Sequence, residues 1–251
     1  MNTRISTPPP IEPAQQIAAR VVGALYLIQM ATAVFGQVFV RGQLIVRGDV
    51  AKTAENILAN EQLFRLSIAG DLITYAGVIV LAWAFYVVVK TVNKNLALLS
   101  VFFRLVENAV LFVATIGSMV VLRLLTNAGH AQAFEPAQLH SMASLAFGIQ
   151  GIGMSFGFIL LGLGSTVFSW LLLKSRYVPK VFAVWGIFSS LLLSAGALAL
   201  IAFPRLGVIG MSYMAPMGIF EVGLGLWLLI KGINEPPAAD PVALGRNHTS
   251  S

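Results

Sequence analysis

The chain has 251 residues, of which 57% are hydrophobic and only 10% charged, with a net charge of +6. A soluble domain is about 45–50% apolar and ~25% charged, so this chain lacks the polar residues to cover a soluble surface. Its composition excludes a disordered chain and a soluble enzyme, and the absence of cysteine excludes disulfides, thiolate catalysis, zinc ribbons and iron–sulfur clusters.

Taken in order, residues 1–16 are polar, carry Pro8-Pro9-Pro10 and read as a disordered tail. The first apolar run is Val21–Val40, 20 residues without a charge. That is spanning length, longer than the ~7–15 residues of a signal-peptide core. It therefore reads as a retained helix, even though Ala31-Thr32-Ala33 resembles a cleavage site. The polar stretch Arg41–Arg65 follows, with Asp49 placed to cap a short surface helix through Asn60. The second run is Leu66–Val89, broken only by Asp71, and the third is Leu96–Leu122, holding Arg104 and Glu107. After a polar loop, Asn127–His140, the fourth run is Ser141–Leu173, 33 residues without a charge. It is too long for an untilted crossing and should tilt or project past the bilayer. The fifth run is Val181–Phe203, and the sixth, Leu206–Ile230, holds only Glu221. Residues 233–251 carry Pro236-Pro237 and Pro241 and read as a second disordered tail. No internal repeat is visible.

The fold expectation is all-α: a polytopic transmembrane bundle of six spans over residues 17–232, each run able to cross a ~30 Å core at about 1.5 Å per residue. With the N-terminus inside, the inner segments hold nine Lys and Arg residues and the outer segments six, including Arg41 and Arg65. The excess inside places both termini in the cytoplasm. The positive charge is read as loop-borne and not as a nucleic-acid surface, because no basic patch is interleaved with aromatics. The lipid bilayer is the expected partner.

Small residues line the later spans: Gly148, Gly151, Gly153, Gly157, Gly162 and Gly164 in the fourth, continued by Ser165 and Ser169, then Gly186, Ser190 and Ser194 in the fifth. In lipid such rows let backbones approach closely. Packing inside one bundle is the favoured reading, and homo-oligomerisation through helix 141–173 is the alternative.

Charges inside the runs mark the candidate sites, because each costs roughly 2.5–3.5 kcal/mol to insert at the bilayer centre. Measured from the inner ends, Arg104, Glu107 and Glu221 lie at about 12, 16 and 14 Å. Ser100, Arg104, Glu107, Asn108 and Thr115 share one stripe of the third helix. Glu221 sits between Gly218 and Gly225, on a face bare of bulk that should meet another helix, with the third as the candidate. One arginine neutralises one carboxylate; the second must be protonated, paired elsewhere or matched by a cation. The candidate intramembrane site is thus Arg104, Glu107, Asn108 and Glu221. A second candidate lies at the outer rim: Arg65, Asp71, Tyr75 and His140. An Asp–His–Ser trio of Asp71, His140 and Ser141 can be drawn there, but no G-x-S-x-G elbow supports it. The three histidines, His130, His140 and His248, have no metal-site spacing, and no phosphate-binding glycine loop with lysine occurs. No catalytic residue, metal or cofactor is assigned.

The stretch Asn56–Arg65 followed by Gly70-Asp71, the segment Asn95–Leu99 leading into Phe103-Arg104-Leu105-Val106-Glu107, and Val178-Pro179-Lys180 together resemble a bacterial membrane family catalogued as domain of unknown function 4386. The resemblance runs from about Arg20 to Lys231 and is specific in the second and third helices. It implies an all-helical protein of a bacterial cytoplasmic membrane and transfers no activity. The functional expectation is a protein that binds or transports a small solute, proton or cation at the intramembrane polar site. Its rivals are a structural or regulatory subunit with a register-fixing Arg–Glu clamp, and a lipid-acting enzyme at the outer rim.

Overall fold

The computed structural model describes residues 11–46, 48–127, 129, 133–203, 205 and 212–235. The expected tails at 1–10 and 236–251, the first residues of the sixth run at 206–211, and His130 and His248 lie outside the described residues. Every element among the described residues is helical.

Helix α1 spans Pro13–Ala33. Pro13 suits a first helical position because its missing N–H has no partner to lose there. Glu12 and Gln15 form a reciprocal cap, with the Glu12 amide donating to Gln15 Oε1 at 3.1 Å. The helix therefore begins four residues inside the stretch expected to be disordered. A π-helical segment, Val34–Arg41, continues it, and one α-turn, α2 (Gly42–Leu44), ends it. The first span is thus Pro13–Leu44, not a plain helix stopping at Val40.

Surface helix α3 (Val50–Ala59) is capped by Asp49, which accepts from the Lys52 amide at 2.8 Å, as expected. Then come α4 (Glu61–Val89) and α5 (Lys94–Thr126), which Asn93 caps at the Leu96 amide. Helix α6 (Pro136–Ser175) is 40 residues long. It starts inside the expected loop because Glu135, Pro136 and Gln138 repeat the Glu–Pro–x–Gln cap of α1. Arg176, at φ 58°, closes it. Helix α7 is Lys180–Ala202, and α8 is Ala215–Ile230, entered through a 3-10 turn at Ser212–Met214. Six of these helices are long and apolar enough to cross a membrane.

The spans close into a ring in chain order: α1 packs on α4, α4 on α5, α5 on α6, α6 on α7, α7 on α8, and α8 back on α1. Small residues make the seams. A Cβ on Gly153 would run into Ala114, on Gly157 into Leu111, on Gly162 into Ser190 and Ser194, and on Gly164 into Phe103. The row expected to join helices is thus used inside the bundle; of its members, only Gly148 and Gly151 face open space. Gly23 of α1 and Gly225 of α8 close the ring, each occupying space next to the other's carbonyl.

The first and last described segments meet on one face. Gln16 Nε2 donates to the Ile233 carbonyl at 2.6 Å, and the Ile233 amide donates to Gln16 Oε1 at 3.0 Å. Gln15 reaches the Val88 carbonyl and Thr91, Thr91 meets the Tyr177 hydroxyl, and the Asn234 amide donates to the Tyr177 carbonyl. Above this latch lies one hydrophobic cluster, with Tyr26, Phe85, Phe168, Leu172 and Leu224; Phe85 and Phe168 stack at 3.9 Å. A second cluster fills the opposite end, with Val40, Leu44, Ile57, Phe64, Ile68 and Val121.

Candidate functional site: a polar layer between two cores

Between the two clusters the buried positions turn polar. On α5 the buried stripe runs Ser100, Arg104, Glu107, Asn108, Thr115, Ser118, with apolar Ala97 below it and Val121-Leu122 above it. The expected stripe therefore does face inward. Helical spacing puts these residues on one side of α5, and insertion cost makes that side the interior.

Arg104 and Glu107 are each 3% exposed and pair within α5, Nη1 to Oε2 at 2.8 Å. Neither atom finds a well-aligned hydrogen bond, and Arg104 Nε has no partner. The contact is charge against charge at i,i+3 spacing. Gly164 of α6 admits the arginine stem, since its Cβ position lies 3.7 Å from Arg104 Cδ. Ser100 donates to the Gly164 carbonyl at 3.0 Å.

Glu221 of α8 lies within electrostatic reach of Arg104, as does the buried Tyr26 of α1. Glu221 takes part in none of the ion pairs among the described residues. The glycine face beside it was expected to meet another helix, with the third span as a candidate. It meets the first: Gly225 abuts Tyr26 and Gly23, and Gly218 abuts Met30. Glu221 reaches the charges of α5 across the ring and not by direct packing. The Tyr26 hydroxyl, Asn108 Oδ1, and the hydroxyls of Ser165 and Ser169 are all buried without a hydrogen-bond partner. In the membrane interior such orphans are costly unless something fills the layer.

The four outer-rim candidates are not brought together as one cluster. Asp71 does not meet Arg65. Arg65 pairs with Glu61 one turn away on the exposed face of α4. The partner of Asp71 is Arg41, counted by sequence among outer loop charges but 95% buried in the structure, with Nη2 on Oδ2 at 2.5 Å and Nη1 on Oδ1 at 3.3 Å. The π-segment accounts for this. A π-turn inserts a residue into the α pattern and rotates everything after it, so Arg41 points inward. Gly36 leaves room for the pair, its Cβ position lying 3.4 Å from Arg41 Nη1. His140 is half-buried in the second turn of α6 and has no hydrogen bond or ion pair to Asp71. The signal available in the sequence was depth: Asp71 inside an apolar run needs a cation at its own level, and Arg41 directly ends the preceding run.

Tyr75 joins the two candidate sites. Its hydroxyl bonds Thr115 Oγ1 at 2.8 Å, and its carbonyl accepts from Asn108 Nδ2 at 3.1 Å. It lies within electrostatic reach of both Asp71 and Glu107. Thr32 and Thr74 meet at 2.7 Å, and Ser118 donates to Gln150 Oε1 at 2.6 Å. The two places read separately from sequence are therefore linked through Tyr75 in one polar layer that draws on five helices, α1, α4, α5, α6 and α8. Among the described residues no group of three His, Asp or Glu side chains is placed to hold a metal ion.

A six-span helical ring with apolar outer faces and a charged interior layer defines a multi-pass integral membrane protein. The chain belongs to the family described as Domain of unknown function (DUF4386), whose model matches residues 21–232. No curated protein and no solved structure matches it.

Proposed function

We propose that this protein, in a bacterial cytoplasmic membrane with both termini inside, binds a proton or a small cationic solute at the polar layer, and that Glu221 is the exchangeable group. One observation carries the reading: Arg104 is taken by Glu107 within α5, which leaves Glu221 as a second, half-buried carboxylate with no ion-pair partner among the described residues. A charge in that position is tolerated when a proton or cation neutralises it. The unpartnered hydroxyls of Tyr26, Ser165 and Ser169 supply neutral oxygens of the kind that replace a hydration shell. Passage of the bound species across the membrane is the transport form of the same proposal.

The test is proton or cation movement into vesicles carrying the purified protein. Wild type should take up the tracer, and Glu221→Gln should fold normally and lose uptake. Equal uptake by both would remove Glu221 from the mechanism. The structural alternative, a register-fixing clamp, is favoured by the tight Arg104–Glu107 pair alone. The same variant separates it: both readings make Arg104 critical to folding, but a clamp leaves Glu221 irrelevant to uptake.

A further inference from the structure

We propose a second binding site, independent of Glu221, for a carbonyl-bearing apolar molecule in the cleft between the π-segment, α3 and α6. The cleft has a volume of about 290 Å³ and is lined by Gln37, Arg41, Ile45, Val46, Phe147, Gln150 and Met154, among others. Ligand pockets run from about 300 to 1,000 Å³, so it suits a small head group.

Its chemistry is specific. Arg41 lines the cleft, is 95% buried, and its Nε–H has no hydrogen-bond partner among the described residues. The other face of its guanidinium is held by Asp71, so its charge is already matched. Gln150 accepts from Ser118 through Oε1, which leaves its amide hydrogens as donors. Thr53 is already bonded to Val46 and Asp49, and among the described residues no carboxylate lines the cleft. A donor set of balanced charge inside an apolar wall selects a neutral acceptor, a carbonyl oxygen, over an anion. An anion would add a net negative charge to an already neutral pair. A buried unpaired donor also costs free energy until an acceptor arrives. Two sources share that chemistry: the ring carbonyls of a quinone and the ester carbonyl of a lipid. The strap over the cleft is anchored by Asn56 Nδ2 on the Leu44 carbonyl at 3.2 Å, and Gly151 leaves its wall open, with no atom within 4 Å of its Cβ position.

The experiment measures affinity of the full chain in detergent for four probes: ubiquinone-1, monodecanoylglycerol, decanol and decanoate. The expected result is binding of ubiquinone-1 or monodecanoylglycerol at least tenfold tighter than decanol and decanoate; which of the two binds names the source. Gly151→Phe should fill the cleft and weaken binding at least tenfold without changing the melting temperature of the unliganded protein. Arg41→Lys keeps a cation for Asp71 but removes the Nε donor, and should weaken the carbonyl probes only. Equal binding of decanol, preference for decanoate, or full binding by Gly151→Phe would each overturn the proposal. Glu221→Gln should bind as wild type does, which keeps this site separable from the one at Glu221.

Discussion

At the scale of the residue, the account rests on which buried charge is matched by which. Arg104→Ala leaves Glu107 buried without its partner, and breaking such a pair costs about 3–5 kcal/mol. Adding Glu107→Gln should recover most of that loss, as a double-mutant cycle in chemical denaturation would show. Asp71→Asn should cost a similar amount, because it strands Arg41, whereas Arg65→Ala breaks an exposed pair and should stay within about 1 kcal/mol. Both of these differences were half legible in the sequence. The stripe containing Arg104, Glu107 and Asn108 followed from helical period and insertion cost alone. The partner of Asp71 did not, because choosing between Arg41 and Arg65 depends on which way each side chain turns, and depth gives no azimuth. Arg65 lies on the exposed face of α4 with a glutamate one turn away; Arg41 lies beyond a π-turn.

At the scale of the element, the π-segment and the glycine seams decide what the helices can do. The π-segment carries no Pro, and its single glycine, Gly36, sits beside the ion pair. It is maintained by the interior contacts of Arg41, which offset the poorer hydrogen bonding. Deleting Phe39, which faces outward, removes the inserted residue, so α-helical phase returns with Arg41 still turned toward Asp71. The deletion should therefore destabilise far less than Asp71→Asn does. The seams give a sharper contrast. Gly162→Leu must displace the backbone of α7 at Ser190 and Ser194 and should prevent folding or cost several times more than Gly148→Leu, which meets open space. Melting temperatures of the two variants check this. The sequence marked the glycine row as a packing surface but could not say which members are consumed within the bundle. That distinction needs the neighbour's position, which only the closed ring supplies. The helix starts at Pro13 and Pro136 were readable in principle, since both follow a Glu–Pro–x–Gln cap; the polar character of those turns masked them as loop.

At the scale of the whole molecule, an even number of spans and a polar latch bring the start of α1 and the residues after α8 together on one face. The chain has no cysteine, so introduced cysteines report without background. Gln16→Cys with Ile233→Cys should crosslink through a short bifunctional thiol reagent, since the Gln16 side chain bonds the Ile233 backbone at 2.6 and 3.0 Å, and failure to crosslink would contradict the ring closure of α8 on α1. Six spans, their order and the all-helical class were plain from the charge-free runs. The closure of the ring was not, because nothing in six similar apolar stretches says which faces pair. The ring matters to function because it brings Arg104 and Glu221, 117 positions apart in the chain, to a common layer between two dry cores. The most direct test of that layer is the melting temperature of wild type, Arg104→Ala, Glu107→Gln and Glu221→Gln in detergent, each measured across pH and monovalent-cation concentration. The account predicts that Glu221→Gln is as stable as wild type or more so, that it loses a dependence on pH or cation which wild type shows, and that Arg104→Ala alone is severely destabilised. A wild type indifferent to both variables, or a Glu221→Gln variant as unstable as Arg104→Ala, would contradict it.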